Sequence, residues 1–338
     1  MIELNELCDA AQKAFPADKL SPDRDESWNL AAEMGWLMIR LPEELGGLGF
    51  GRTESTLIHF EMGRVLSSAP LIPAQLGMHA VIGAESLADR EDWLERMASG
   101  EYVPLHMLPA KVSSDGGSYS GTISGYFEAD MASHVIASLP DCYAIIPIDA
   151  DGVTLTEREL WDPSRRLFDL ELSGFKPEES LLLARGAASQ GLHDVISPES
   201  QLAIAADSLG GANATLDMTV EYLNMRKQFE RPIGMFQALK HRIADLKTRI
   251  VAAEALMWSR AAEEAPSTID LGAAKILAAE IYQFVTEEAI QLHGGIGLTD
   301  EHQCHLFMKR AMLDLQLSGG ADHWYEQAGR MALKGVAA

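Results

Sequence analysis

R-K-Q-F-E-R-P-I-G-M-F-Q-A-L-K-H-R-I-A-D, Arg226 to Asp245, reads as one helix end, a short turn and a second helix start. Leu209 to Tyr222, just before it, carries helix formers with apolar residues at helical spacing. After it, Phe236, Leu239, Ile243, Leu246 and Ile250 recur at steps of three and four, which marks one apolar helix face. Pro232 and Gly234 fall between, where a helix has to stop and restart. The turn presents an arginine, an amide and an aromatic ring together. Arginine offers a fixed fork of donors suited to phosphate oxygens, and an aromatic ring can cover a flat heterocycle. The combination suggests a nucleotide's phosphates and base. On spacing alone an ordinary surface helix corner is the simpler reading, because arginines are common near helix ends.

Outward from this corner, composition sets bounds. At 338 residues the chain is long enough for two or three domains, and 47% hydrophobic residues supply their cores. Fifty acidic residues against 27 basic give a formal charge of −23. That balance argues against binding nucleic acid or an anionic membrane surface. It leaves room for an anionic ligand such as a CoA ester in a local basic pocket. The three cysteines, Cys8, Cys142 and Cys304, are far apart and suggest neither a disulfide framework nor a zinc spacing, so a reducing compartment is expected. The acidic start M-I-E-L-N-E-L-C-D-A does not resemble a signal peptide. No apolar stretch approaches a membrane span, so a soluble, cytoplasmic protein is expected.

In chain order, residues 1–103 are predicted helical. Ile2, Leu4, Leu7, Ala11 and Phe15 form a first stripe, and Ser27–Ile39, Thr53–Val65, Ala69–Leu87 and Asp89–Ser99 supply further helices. The glycine-rich Arg40–Gly51 segment is a structured loop. Over 104–185 the period drops toward two. Asp-Gly pairs at 115–116 and 151–152 mark turns of the hairpin kind in a small antiparallel β domain. Helices return over 186–338, with candidates Leu202–Tyr222, Phe236–Glu263, Asp270–His293, Glu301–Leu315 and Asp322–Leu333. Helices, then strands, then helices make an α+β arrangement with segregated layers.

Three stretches in this order carry a resemblance. They are G-W-L-M-I-R-L-P-E-E-L-G-G-L-G-F-G (Gly35–Gly51), E-Y-L-N-M-R-K-Q-F-E-R-P-I-G-M-F-Q (Glu221–Gln237) and Q-L-H-G-G-I-G (Gln291–Gly297), the last followed by Glu301 and K-R-A, Lys309–Ala311. With them the chain resembles the acyl-CoA dehydrogenase family along its full length. The resemblance implies an N-terminal helical domain, a middle β domain and a C-terminal four-helix bundle, in tetramers built as pairs of dimers. It also implies flavin chemistry: a base takes the proton α to a thioester, and FAD accepts a hydride from the β carbon.

By that resemblance, the grip on the FAD diphosphate and adenosine falls on Arg226, Gln228, Phe229 and Gln237, with Gln291, Gly294 and Gly295. In the family both segments reach toward an FAD held mainly by the neighbouring subunit. The glycine usual after the phenylalanine is Glu230 here. Family members cover the flavin ring with a T-E-P-x-x-G-S-D-like loop and a tryptophan on a following strand. The matching stretches here, His106–Gly121 and Gly125–Asp130, have neither. The family's commonest catalytic base lies in a Y-E-G-T-like segment, and aligning from Arg310 puts that position at Gly319. Some members carry the base on the first bundle helix. The aligned residue is about Ser200, and Glu199 stands one step, about 100° of helix, away. Glu199 is thus a weak alternative, and both it and Glu326 read as solvated carboxylates. His302, Cys304 and His305 have a ligand-like look but read as surface residues, so no metal is expected. The tryptophans and methionines are mostly core by spacing.

Together the losses and retentions imply a subunit that completes its partner's site. The chain resembles the shorter, non-catalytic subunit of bacterial α2β2 heterotetrameric acyl-CoA dehydrogenases of the steroid-CoA type. The expected partner is a longer acyl-CoA dehydrogenase-like subunit that carries the base and most of the acyl-CoA contacts and shares the FAD. A homotetrameric dehydrogenase with a displaced base and an FAD-free interaction subunit stand as alternatives.

Overall fold

The helix–strand–helix order expected from the periodicity is the order observed in a computed structural model, which describes residues 4–264 and 266–336, with side chains to residue 333. Ile2 of the expected first stripe lies outside the described residues. The remainder of that stripe forms α1 (Leu4–Ala14), which buries Leu7 and Ala11. α2 (Arg24–Glu33) is capped by Asp23, whose carboxylate accepts from the amides of Asp25 and Glu26. This helix stops short of the expected Ile39. Gly35 turns the chain at φ 73°, and a 3-10 turn over Trp36–Met38 follows, with Trp36 buried. α3 (Arg52–Arg64), α4 (Leu71–Ile82) and α5 (Arg90–Ala98) complete the N-terminal helices. α4 is buried along nearly its whole length, and it ends at Gly83 rather than at Leu87.

The middle segment holds two antiparallel sheets. β1 (Ser113–Asp115), β2 (Ser118–Phe127), β3 (His134–Ser138), β4 (Cys142–Pro147), β5 (Val153–Arg158), β6 (Leu167–Phe175) and β7 (Leu182–Arg185) pair in the orders β1-β2-β6-β5 and β3-β4-β7. Cross-strand pairs such as Ile136 with Ile145, and Ile123 and Leu155 each with Leu170, put apolar side chains opposite one another. The turn at Asp115 is a hairpin. Asp115 pairs with Ser118, and Gly116 and Gly117 between them have φ 56° and 79°, as a two-residue hairpin loop requires. The Asp151-Gly152 turn differs from expectation: it joins β4 of one sheet to β5 of the other, so it closes no hairpin.

The C-terminal helices begin with α6 (Ala187–Met225), far longer than the predicted Leu202–Tyr222. Pro198 sits inside it. A proline there costs about 3 kcal/mol in lost hydrogen bonding and steric conflict. Burial of Leu192 and Ile196 before it, and of Leu202 and Leu209 after it, outweighs that cost. A small hairpin follows, β8 (Lys227–Gln228) and β9 (Arg231–Pro232), and then α7 (Gln237–Ala261), α8 (Thr268–His293), α9 (Cys304–Asp314) and α10 (Ala321–Val336). Ser267 caps α8. Leu209 and Leu216 of α6, Leu246 and Ile250 of α7, Tyr282 and Val285 of α8 and Phe307 of α9 share one core. Gly63 and Gly210 let α3 and α6 touch backbone to backbone. A Cβ on Gly63 would lie 2.1 Å from the Asp207 carbonyl oxygen, and one on Gly210 would lie 2.0 Å from that of Phe60.

By contacts the chain forms two compact units. One comprises the chain up to Pro22, Thr56–Ser67 and the chain from Gln201; the other comprises Asp23–Ser55 and Ser68–Ser200. Among the described residues no helix is long and apolar enough to cross a membrane.

Candidate functional site

The helix corner folds as a strained hairpin. α6 ends with the Arg226 amide donating to the Tyr222 carbonyl at 2.8 Å, and the Ile233 amide donates back to the Arg226 carbonyl at 2.8 Å. Between them Gln228 pairs with Arg231 across a two-residue loop, Phe229-Glu230. Both loop residues are left-handed, with φ 53° and 66°. A two-residue hairpin loop of this kind favours glycine or asparagine, and each side chain held there costs on the order of 1–2 kcal/mol. The glycine usual at position 230 in the resembled family therefore has a backbone reason. Phe229 is 84% exposed. Its ring meets Phe236 edge-on at 6.0 Å, and the Arg231 guanidinium lies 4.2 Å over the Phe236 ring. Arg226, Gln228 and Gln237 are all exposed, and no ion pair holds Arg226 among the described residues. A groove lined by Val220, Leu223, Leu239, Ile243, Lys240 and Lys247 runs beside the hairpin.

The second predicted segment is fixed to the same corner. Tyr222, one turn before Arg226, stacks on His293 at 4.4 Å, and its hydroxyl donates to the His293 carbonyl at 3.2 Å. His293 ends α8, and Gly294 follows at φ 69° to open a 3-10 turn that runs to Leu298. Gly294 and Gly295 are exposed, with open space where a side chain would stand, and Gln291 is exposed as well. The fold thus brings the Arg226 hairpin and the Gly294 turn out from one pinned pair of helix ends.

The carboxylate candidates fare differently. Gly319 has φ 93°, and a Cβ on it would lie 2.8 Å from His323 Cδ2 and 3.0 Å from Trp324 Nε1. Its carbonyl accepts from Lys275 Nζ at 2.8 Å, as does that of Leu315 at 3.0 Å. Lys275 is fully buried, and desolvation pushes its pKa down to about 8. Trp324 Nε1 donates to the Ser318 carbonyl at 3.0 Å. Position 319 is therefore closed to a side chain.

Glu199 is not the solvated carboxylate expected from the sequence. It is 9% exposed and held by Arg40 and by Arg52 Nε, the latter at 2.7 Å. Burial by itself would raise its pKa, but the charges of Arg40, His79 and Arg52 outweigh burial and hold it below the ordinary carboxylate value. A general base needs the opposite shift. Glu326 is exposed and paired with Arg330 at 2.6 Å, in keeping with a solvated residue.

The histidine–cysteine group also departs from expectation. Cys304 and His305 are buried rather than surface residues. His305 Nε2 faces Asp300 at 3.5 Å, away from the other two. His293 instead joins His302 and Cys304, with ring centroids of the two histidines 4.3 Å apart. Burial pushes the Cys304 thiol up to about 12. In the sequence, His293 lay within a glycine motif and nine residues from His302. Helical spacing gave no signal that joined them.

Residues 5–101 match the acyl-CoA dehydrogenase N-terminal domain, and residues 198–327 match the acyl-CoA dehydrogenase C-terminal domain. Acyl-CoA dehydrogenase IpdE2 of Mycolicibacterium smegmatis is 33% identical over 305 residues, covering 86% of this chain and 83% of that relative. The chain belongs to the acyl-CoA dehydrogenase family. Among solved structures, a chain of the Tcur3481–Tcur3483 steroid acyl-CoA dehydrogenase is 25% identical at a TM-score of 0.85, covering 99% of both chains. A chain of the ChsE4–ChsE5 complex from Mycobacterium tuberculosis is 25% identical at a TM-score of 0.83, covering 98% of this chain and 96% of that one.

Acyl-CoA dehydrogenases generally work with FAD. The hairpin and glycine turn fit its diphosphate end: Arg226 is exposed and carries no ion pair among the described residues, amide side chains flank it, and the backbone at Gly294 and Gly295 is open. The middle β segment offers less to a flavin ring. Where the family would place a covering tryptophan, Tyr126 and Phe127 point into the core, and the Tyr126 hydroxyl donates to the Ile136 carbonyl at 3.2 Å. His106 lies between the carbonyls of Leu108 and Ser124, at 2.6 Å and 3.0 Å.

Proposed function

We propose that this acyl-CoA dehydrogenase chain is the non-catalytic subunit of a heteromeric enzyme, supplying one side of the FAD diphosphate and adenosine site to a longer partner subunit. Desaturation of a CoA thioester needs a carboxylate over the α carbon and a hydride acceptor beyond the β carbon. FAD, when bound, supplies the second. The observation that carries the proposal is Gly319. The position that the resemblance assigns to the base is a glycine at φ 93° whose side-chain space is filled by His323 and Trp324. The alternative carboxylate, Glu199, is neutralised by two arginines. This chain has the means to hold a dinucleotide's phosphates and lacks the means to take the proton.

In this reading Arg226 pairs with the diphosphate, Gln228 and Gln237 donate to its oxygens, and Phe229 covers the adenine. The Gly294 and Gly295 amides approach from the second segment. Exposure of Phe229, 84% open with only an edge-on contact to Phe236, together with the exposed Arg226 and Gln228, supports a role toward another polypeptide. The likeness to the Tcur3481–Tcur3483 steroid acyl-CoA dehydrogenase and to a chain of the ChsE4–ChsE5 complex supports a heteromer and a bulky or steroid acyl group. A homomeric enzyme with a displaced base is disfavoured by the lowered pKa of Glu199.

The test is co-expression with a longer acyl-CoA dehydrogenase-like chain that retains its base. The complex should carry FAD and reduce a dye with an acyl-CoA, while this chain purified alone should do neither. Arg226→Ala in the complex should weaken FAD binding by about tenfold to a hundredfold, the worth of a charge-assisted phosphate contact of ~1.5–3 kcal/mol. Yellow, active protein from this chain alone would overturn the heteromer. Unchanged FAD affinity in Arg226→Ala would overturn the shared cofactor and leave a purely structural subunit.

A further inference from the structure

His293, His302 and Cys304 come from the end of α8, the turn before α9 and the first residue of α9, and their ligand atoms lie within 4.8 Å of one another. We propose that these three side chains bind one borderline-soft divalent cation, of which zinc is the type, and that the cation ties the two helices together across the glycine turn. The proposal does not depend on the flavin reading.

His293 is the best-defined of the three donors. It is 4% exposed, and its Nδ1 lies 2.7 Å from the Ala289 carbonyl, which accepts its proton. That bond fixes the tautomer and leaves Nε2 as a bare lone pair. Nε2 is buried and has no hydrogen-bond partner. An acceptor left so costs ~1–3 kcal/mol, and a cation would remove that cost. A histidine held through one nitrogen by a backbone carbonyl, with the other nitrogen free, is the arrangement that orients metal-ligating imidazoles. Stacking of Tyr222 at 4.4 Å fixes the ring plane further.

The other two donors complete a set of matching chemistry. Cys304 offers a fully buried sulfur, and His302 a half-buried imidazole. Two imidazoles and a thiolate suit zinc or a similar ion, whereas magnesium and calcium take oxygen ligands. His305 is turned to Asp300 and stands apart. On binding, the Cys304 thiol gives its proton to solvent and the thiolate forms the metal bond. Zinc–nitrogen bonds of about 2.0 Å and zinc–sulfur bonds of about 2.3 Å put tetrahedral ligand atoms ~3.5 Å apart, so the set must contract by about an ångström. His302 can supply that movement, because it precedes α9. Its Nδ1 accepts only a 3.2 Å bond from the Cys304 amide, which the cation would replace. Water fills the fourth position.

The full-length chain, treated with a chelator and dialysed, is titrated with cobalt(II) as a spectroscopic stand-in for zinc. The expected result is one cobalt per chain, tetrahedral visible absorption and a near-ultraviolet thiolate-to-cobalt charge-transfer band that zinc abolishes. Cys304→Ser should lose the charge-transfer band, and His302→Ala should weaken binding by more than about tenfold. Zinc should also raise the thermal midpoint of the unmutated chain, a readout that needs no variant to fold. Absence of stoichiometric binding to the unmutated chain, or a charge-transfer band that survives in folded Cys304→Ser, would overturn the proposal.

Discussion

Gly319→Ala and Gly320→Ala add the same methyl group to neighbouring positions, yet they should differ by about 2–4 kcal/mol in stability. At Gly319 two penalties combine. A φ of 93° is one that residues with a Cβ rarely adopt, at ~1–2 kcal/mol. The new Cβ would also stand 2.8 Å from His323 Cδ2 and 3.0 Å from Trp324 Nε1. Overpacking of that kind costs about 1–3 kcal/mol. Trp324 has little freedom to yield: its Nε1 is bound to the Ser318 carbonyl, and its ring lies on Gly272, where a Cβ would meet it at 2.5 Å. The lower entropy of an unfolded alanine returns only about 0.5–1 kcal/mol. At Gly320 the nearest atom is the mobile Gln316 Oε1 at 3.4 Å and the backbone is unstrained, so the same change should fall within about 0.5 kcal/mol of neutral. Urea unfolding followed by tryptophan fluorescence compares the two directly. Equal midpoints would refute the claim that position 319 is sterically closed. Gly319→Glu should likewise produce no acyl-CoA turnover in the chain alone, and turnover there would show that a carboxylate can reach the reacting carbon from this position.

Two further outcomes follow from strain and charge. Glu230→Gly should strengthen the hairpin by about 1 kcal/mol relative to Glu230→Ala, inverting the usual order in which glycine is the worse residue, because position 230 has φ 66°. Slower hydrogen exchange of the Ile233 amide in the glycine variant checks this. His79 is held at a pKa of about 4, by burial first and then by the Arg40 charge, so the unfolded chain takes up its proton before the folded one does. Stability should therefore fall by about 2 kcal/mol between about pH 7 and about pH 4.5, and His79→Gln should flatten that part of the profile. Urea midpoints across the range decide it. Glu199, with its pKa lowered in the fold, adds its own loss at still lower pH.

Much of the fold was legible because periodicity survives in the sequence. The apolar positions Leu239, Ile243, Leu246 and Ile250 lie on the face that α7 turns toward the core, with Leu246 and Ile250 buried, while Phe236 stands at its N-cap outside that core. Less legible were features that depend on distant neighbours. The helix expected to start at Leu202 in fact begins at Ala187 and passes through Pro198, because both flanking halves are buried. Gly152 reads as a hairpin turn, but strand pairing sends β4 and β5 to different sheets. Glu199 reads as a solvated charge, and only folding shows Arg40 and Arg52 closing on it from residues far away in the chain.

The sequence by itself determined the family, the helix–strand–helix order and the absence of a carboxylate at position 319, because motifs and hydrophobic periods are local. Tertiary structure decided what those positions mean. It set Phe229 and Glu230 in left-handed backbone at the tip of an exposed hairpin, since the ends of α6 and α7 must be joined in a few residues. It filled the space beside Gly319 with Trp324 and gathered His293 with His302 and Cys304. Those juxtapositions come from packing between helices, and spacing within one segment carries no record of them.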